Sequence, residues 1–370
     1  MRSVRVADEA SQHVGALTVG NALTAVARTR TAGRGYVMCS VANADSSDGQ
    51  RWYPAGPAGP SVPMWVPDSR QRDQGLACDG QLLAVPPGRY EWIYLLVSNH
   101  HTGTPEIWLH HQDVVDPEWL YLGGRAMADA QLARVPVIRP EPLMAVRLPE
   151  APRLRVHAVT LVSPLAPDLA DRAPMPSEGQ GPGCHLVHLA AHVNCVGIEP
   201  TPRPGKGAFN IWNNTFPIED LPPAGTVTTV GGVPFRMPLA DGDRPDNIRC
   251  RGQRIGLPVD RADWLHLLVA AERRSEDLLA VHYTDGTTRT QWLRVSDFWP
   301  ETASRFGETL AFRTSSMLYP NHVDSRMPPA IWRQRVPVSV RAEVAAVTLP
   351  NNPAIHVFAL TVLDEEARPQ

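Results

Sequence analysis

The sequence predicts an all-β protein of two tandem β-sandwich domains related by internal duplication, and three observations predict it. The middle of each half runs alike. Cys78-Asp79-Gly80-Gln81 is followed by Trp92 and Leu95-Leu96-Val97, and Cys250-Arg251-Gly252-Gln253 is followed at the same interval by Trp264 and Leu267-Leu268-Val269. The end of each half also aligns without a gap: Ala145-Val146, Leu148-Pro149, Pro152, Leu154, Val156, Ala158 and Thr160 fall on Ala346-Val347, Leu349-Pro350, Pro353, Ile355, Val357, Ala359 and Thr361. Finally, short β-branched runs alternate with turn residues, and 37 prolines in 370 residues leave little room for long helices. Self-similarity of this kind sets the architecture before any local element is assigned.

Taken in order, the first domain is expected over residues 1–163, a Pro/Gly/Asp/Ser-rich linker over 164–183 and the second domain over 184–370. Leu154–Leu161, Leu278–Tyr283 and Ala354–Val362 read as strands, and the Asp285-Gly286 pair reads as the turn of a hairpin. Short helices are expected near Ala126–Ala133 and Ala262–Leu265. Between the shared blocks the second copy carries about 29 extra residues, around 298–335, expected to form a surface loop of the kind that builds binding sites.

Bulk properties narrow the function. A net charge of -3 without a basic stripe argues against a nucleic-acid partner. The apolar runs, such as Ile93–Val97, are strand-length and argue against a membrane span. Asp8 and Glu9 stand where a signal peptide needs apolar residues, so the expected location is cytoplasmic, and the Arg/Ala/Pro bias points to a GC-rich bacterial genome. Five scattered cysteines form no C-x-x-C pair, which disfavours zinc and iron–sulfur sites. Lys206 is the only lysine, so Schiff-base chemistry would hang on one loop residue. No dinucleotide fingerprint, phosphate loop or nucleophile elbow occurs, and no cofactor requirement is expected.

A resemblance adds to this reading. It is carried by His192–Ile198, Phe216–Pro222, Gly232–Phe235, Asp246–Arg249, Gly252-Gln253, Leu257-Pro258, Leu265–Leu268, His282–Thr287, Ser296–Trp299, Leu349-Pro350 and Ile355–Leu360. Through these segments the second half resembles the galactose-binding-like, jelly-roll carbohydrate-binding module found beside bacterial glycoside hydrolase domains. The first half resembles it more weakly, through Val62-Pro63, Asp79-Gly80-Gln81, Pro86 and the closing block. The resemblance implies a jelly-roll fold, sugar binding and the structural calcium that such modules often hold. The chain departs from the pattern at Asn210-Ile211-Trp212-Asn213-Asn214, where an aspartate–glycine turn is expected.

Candidate residues follow from side-chain chemistry. Trp212 with Asn213 and Asn214 suits the apolar face and hydroxyl rim of a sugar, although a core tryptophan beside turn asparagines gives the same pattern. Asp246, Asn321 and Trp332 complete the ligand-binding set. His322 and Asp324 on the insertion, with Glu219 and Asp297, are the candidate acid–base groups; a solvated loop is the alternative for the first two. Asp45 and Asp48 are the candidate calcium ligands, or simply a polar turn. His110 with Asp113 and His282 with Asp285 repeat across the copies, which favours a structural role over a metal site. His185, His188 and His192 share a face only if the segment is helical. Two functions remain open: a protein binding a glycan or small molecule at a loop face or cleft, and a cofactor-independent cyclase, lyase or hydrolase of bacterial specialised metabolism. The oligomeric state is not legible.

Overall fold

In a computed structural model of the chain, the residues described are 24–26, 28–32, 35–41, 49–54, 61–66, 75–99, 104–122, 130–163, 175–176, 183–202, 205–300, 303–340 and 342–365. The chain divides into two compact units, Met1–Ala166 and Pro167–Gln370. Among the described residues there is no α-helix, only a 3-10 turn at Ile218–Asp220. The helix expected at Ala262–Leu265 is absent. Trp264 opens a strand paired to Pro337 on one side and Leu363 on the other, and two-sided pairing overrides a weak local preference. The other expected helix, near Ala126–Ala133, lies partly outside the described residues, and its end from Gln131 is strand.

The first unit holds β1 (Thr24–Val26), β2 (Arg28–Ala32), β3 (Tyr36–Ser40), β4 (Gly49–Pro54), β5 (Ser61–Val66), β6 (Leu76–Asp79), β7 (Leu82–Gly88), β8 (Trp92–Asn99), β9 (Glu106–His111), β10 (Val115–Trp119), β11 (Gln131–Pro136), β12 (Leu143–Arg147) and β13 (Glu150–Val162). One sheet runs β1-β7-β12-β9-β10. The other runs β11-β8-β13-β3-β2, with β6 also on β13. Alternate side chains point inward from both: Leu83, Val85, Ile107, Leu109 and Val146 from the first sheet, and Ile93, Leu95, Val97, Val156, Val159 and Leu161 from the second, form one core.

The second unit holds β14 (Met175–Pro176), β15 (Cys184–Leu186), β16 (Ile198–Glu199), β17 (Phe216–Pro217), β18 (Val227–Val230), β19 (Val233–Arg236), β20 (Ile248–Arg249), β21 (Arg254–Gly256), β22 (Trp264–Ala271), β23 (Ser275–Tyr283), β24 (Thr288–Val295), β25 (Thr309–Arg313), β26 (Met317–Leu318), β27 (Val323–Asp324), β28 (Ala330–Pro337), β29 (Val344–Thr348) and β30 (Ile355–Leu363). Its sheets run β21-β29-β23-β24 and β15-β30-β22-β28-β25, with β20 also on β30. Leu265, Leu267 and Val269 of β22 face the core between the sheets. Leu268 and Ala270, on the opposite face, join a second core with Phe209, Phe216, Phe235, Phe298, Met317 and Phe358. This sheet is therefore buried on both sides, and β22 reads as a continuous apolar run for that reason.

The two units use one strand order. β7-β12-β9-β10 corresponds to β21-β29-β23-β24, and β11-β8-β13-β3 to β28-β22-β30-β15. The registers agree as well. Trp92 pairs with Pro136 and Val162, as Trp264 pairs with Pro337 and Leu363. Both long strands slip by one residue at the same place, at His157 and Phe358. The corner glycines Gly80 and Gly252 have φ of 70 and 74, open to glycine without strain. After each, a glutamine clamps the corner. The Oε1 atoms of Gln81 and Gln253 accept from the backbone N–H of Asp79 and Arg251 at 2.7 Å, and their Nε2 atoms donate to the carbonyls of Ala77 (2.7 Å) and Arg249 (2.9 Å). The buried hydroxyls of Thr160 and Thr361 donate to Pro63 and Pro234 at 2.6 Å.

The insertion is not the surface loop expected from its prolines and polar residues. It supplies β25 to the main sheet and buries Ala311, Phe312, Met317 and Leu318. All five cysteines are free and buried, Cys39 and Cys78 in the first unit, Cys184, Cys195 and Cys250 in the second. Burial pushes the thiols of Cys39 and Cys78 up to about 12 and that of Cys195 up to about 11.

Candidate functional site

The segment entering β17 is built to hold a turn rigidly. Phe209 is fully buried, its ring 5.2 Å from Phe216, 5.0 Å from Phe298 and 4.2 Å from the His356 imidazole. Asn210, also buried, accepts at Oδ1 from the N–H groups of Trp212 (3.0 Å) and Asn214 (3.1 Å), and its carbonyl accepts from Asn213 N–H at 2.9 Å. Asn213 takes the left-handed conformation, φ 56, which asparagine tolerates. The far side is tied to the insertion: Thr215 and Leu318 exchange backbone hydrogen bonds at 3.0 Å, and Asn214 Nδ2 contacts Met317 Sδ at 2.6 Å. On this turn Ile211 is 80% exposed and Trp212 53%, the indole edge-on to Trp299 at 6.1 Å.

Beside the turn lies a pocket of about 520 Å³. Ala208, Asn210, Ile211 and Asn213 form one wall; Arg249 and Arg251, Glu272 and Arg273, and Pro353 and Ala354 form the rest. Strand pairing assembles it, since Arg249 of β20 lies opposite His356 of β30, and β22 ends beside Ile355. Arg249 Nη2 donates to the carbonyls of Ala208 (2.5 Å) and Phe209 (2.8 Å) and approaches Glu272 at 3.5 Å. Its Nε and the Nδ2 of Asn210 are buried donors without a protein partner. A buried donor left unmatched costs about 1–3 kcal/mol.

A polar chain runs from this pocket into the interior. Glu272 Oε1 lies 3.6 Å from His356 Nε2, and His356 Nδ1 is 2.7 Å from Asn247 Oδ1. Asn247 Nδ2 donates to Cys195 O and to Asp246 Oδ1, so its oxygen faces the imidazole and Nδ1 of His356 carries the proton. Burial is the largest influence at both ends. It holds His356 below the ordinary imidazole value and raises Asp246 to about 7, against the hydrogen bonds from Asn247, Ile198 and Gly197.

Of the residues expected from sequence, Trp212 and Asn213 stand on the exposed turn, and Asn213 lines the pocket. Three others are corrected. Trp332 is buried in the core with its indole N–H on Asp297 O at 3.1 Å, so it cannot stack on a ligand. Asp246 spends its carboxylate on Gly197 N–H, Ile198 N–H and Asn247, away from the pocket lining. Asn214 is buried beneath the turn. The acid–base set does not assemble either. His322 is exposed and stacked on Tyr319 at 4.6 Å, near exposed Asn321 on the β26–β27 hairpin. Asp324 is gripped by Arg326 at 3.1 Å through both oxygens, which holds its carboxyl below the usual range. Glu219 accepts from Thr201 N–H at 2.8 Å on the 3-10 turn, and Asp297, raised by burial, accepts from Trp299 N–H at 3.1 Å. No hydrogen bond or ion pair joins any two of these four among the described residues.

Asp45 and Asp48 lie outside the described residues, among which no cluster of three His, Cys, Asp or Glu could hold a metal ion. His282 bridges Thr288 Oγ1 (3.1 Å) and Thr348 Oγ1 (2.8 Å) within its sheet. Sequence reasoning gave no site role to Asn210, Arg249, Arg251, Glu272, Arg273 or His356, although Asn210, Arg249, Arg251 and His356 fall inside the quoted segments.

Comparison with known proteins places this unit among β-sandwiches: residues 184–366 match a family described as the AziU2-like beta-sandwich domain. No curated protein matches the chain. Among solved structures, the tandem CBM51 modules of Sp3GH98, a family 98 glycoside hydrolase from Streptococcus pneumoniae SP3-BS71, align at 9% identity over 85% of this chain and 88% of that one, with a TM-score of 0.20. The cycloisomaltooligosaccharide glucanotransferase of Paenibacillus sp. aligns at 8% identity over 84% and 45%, with a TM-score of 0.19. Hazelnut (Corylus avellana) vicilin aligns at 9% identity over 85% and 87%, with a TM-score of 0.16.

Proposed function

We propose that the second unit is a binding module for a small hydroxylated ligand of the carbohydrate class, held in the pocket beside the Trp212 turn. One observation carries this reading: the buried Asn210 amide locks a turn whose next two residues are large, apolar and exposed, against a pocket lined by amide and guanidinium groups. Such a site offers a sugar an apolar surface for its ring face and donors for its hydroxyl rim. His322, Asp324, Glu219 and Asp297, joined to one another by no hydrogen bond or ion pair among the described residues, give catalysis no comparable support. The test is calorimetric titration of the full chain with mono- and oligosaccharides. Trp212→Ala should weaken binding roughly fivefold, about 1 kcal/mol, at an unchanged melting temperature. Undiminished affinity in that variant removes the turn from the site.

We further infer that the two units are copies of one ancestral module. The common strand order, the matching slips at His157 and Phe358 and the paired glutamine clamps support this.

A further inference from the structure

The pocket carries more positive charge than its own groups offset, and unpartnered donors are buried behind its wall. Three arginines, Arg249, Arg251 and Arg273, line it against one carboxylate, Glu272, which already lies 3.5 Å from Arg249. Arg251 and Arg273 are exposed, and among the described residues neither side chain makes a hydrogen bond or ion pair. Arg249 keeps a buried Nε without a partner. Asn210 is 3% exposed, and its oxygen is committed to two backbone N–H groups, so its orientation is fixed and Nδ2 is the donor left over. A neutral polyol can accept from these donors, but it brings a donor of its own with every hydroxyl and leaves the positive charge unmatched. An oxyanion supplies acceptors only, fits the guanidinium fork and offsets the net positive wall.

We infer that the ligand of this pocket carries an oxyanion, a carboxylate, sulfate or phosphate on its hydroxylated frame. This rests on the binding reading above and narrows it. The test titrates the full chain with D-glucose, D-glucuronate, D-glucose 6-phosphate, D-glucose 6-sulfate and inorganic phosphate. At least one charged sugar should bind about tenfold or more tightly than glucose, and the one that binds best identifies the oxyanion. That advantage should shrink with added salt and vanish in an Arg251→Ala, Arg273→Ala double variant that melts like the parent. Equal affinity for glucose and the charged sugars, or charged-sugar binding untouched by the double variant, overturns the oxyanion and leaves polyol binding standing. Inorganic phosphate binding as tightly as the sugar phosphate keeps the oxyanion and removes the sugar frame. No binding of any probe ends both readings.

Discussion

Where β20 meets β30 in the second unit, Arg249 stands opposite His356; where β6 meets β13 in the first, Ala77 stands opposite Arg155. The strand pairing corresponds and the chemistry does not. Arg155 Nη1 donates to Gly75 O at 2.8 Å, and Gly75 holds the place of Asn247. A Cβ on Gly75 would lie 2.6 Å from the His157 ring, so an asparagine there cannot reproduce the polar chain. The bulge residue itself differs: His157 bonds Ser98 Oγ at 2.9 Å, whereas Phe358 packs 5.8 Å from Phe216 in the second core. The frame is kept by glycine, glutamine and threonine at corners and slips. The side chains on that frame are free to build a pocket in one unit and different contacts in the other.

The comparison breaks most severely if the units do not unfold separately. Phe298→Ala empties the centre of the second core and should destabilise the second unit by about 3–5 kcal/mol. Hydrogen exchange with mass spectrometry should then find the first unit's protection unchanged; parallel loss in both would make them one cooperative body. Next in size are the clamps. Gln81→Ala and Gln253→Ala each remove two backbone partners and should cost about 1–3 kcal/mol in their own unit. Denaturant titration of both variants checks this, and unequal losses would show that the corners are not equivalent.

The smallest effect is on acid stability. In the first unit His110, His111 and His157 are all held below the ordinary imidazole value of 6.5, with burial the largest cause in each. The unfolded chain takes up those protons first, so stability present above that pH is lost as pH falls through it. His282 and His356 act in the same sense in the second unit. Asp246, raised from 3.8 to about 7, acts oppositely: its contribution is complete below its ordinary value and lost as pH rises toward about 7, so acidification restores it. Between about pH 7 and pH 5 the first unit should therefore lose more stability than the second. Exchange protection compared at the two pH values reads this, and equal losses would count against the assignment.

Much of the frame was legible because corner residues are chemically singular. A glycine at φ 70 followed by a glutamine that bonds backbone two and four residues behind it leaves a local signature, and Gly80-Gln81 and Gly252-Gln253 both carry it. The insertion misled because its buried residues sit on short strands between prolines, and β28 is buried on both faces, so no alternation marks Trp332 as core. The exposed turn was legible in Trp212 and Asn213, since both announce themselves within a few residues. The pocket was not. Arg249, Glu272 and His356 meet only through the pairing of β20 and β22 with β30, and no spacing along the chain encodes that meeting.

The sealed thiols give each half its own clock. Alkylating reagents must reach a sulfur to attack it, and all five are buried while their surroundings stay closed. A peptide map of a briefly labelled sample would therefore date the opening of the amino-terminal half by Cys39 and Cys78, and that of the carboxy-terminal half by Cys184, Cys195 and Cys250, with no engineered tag.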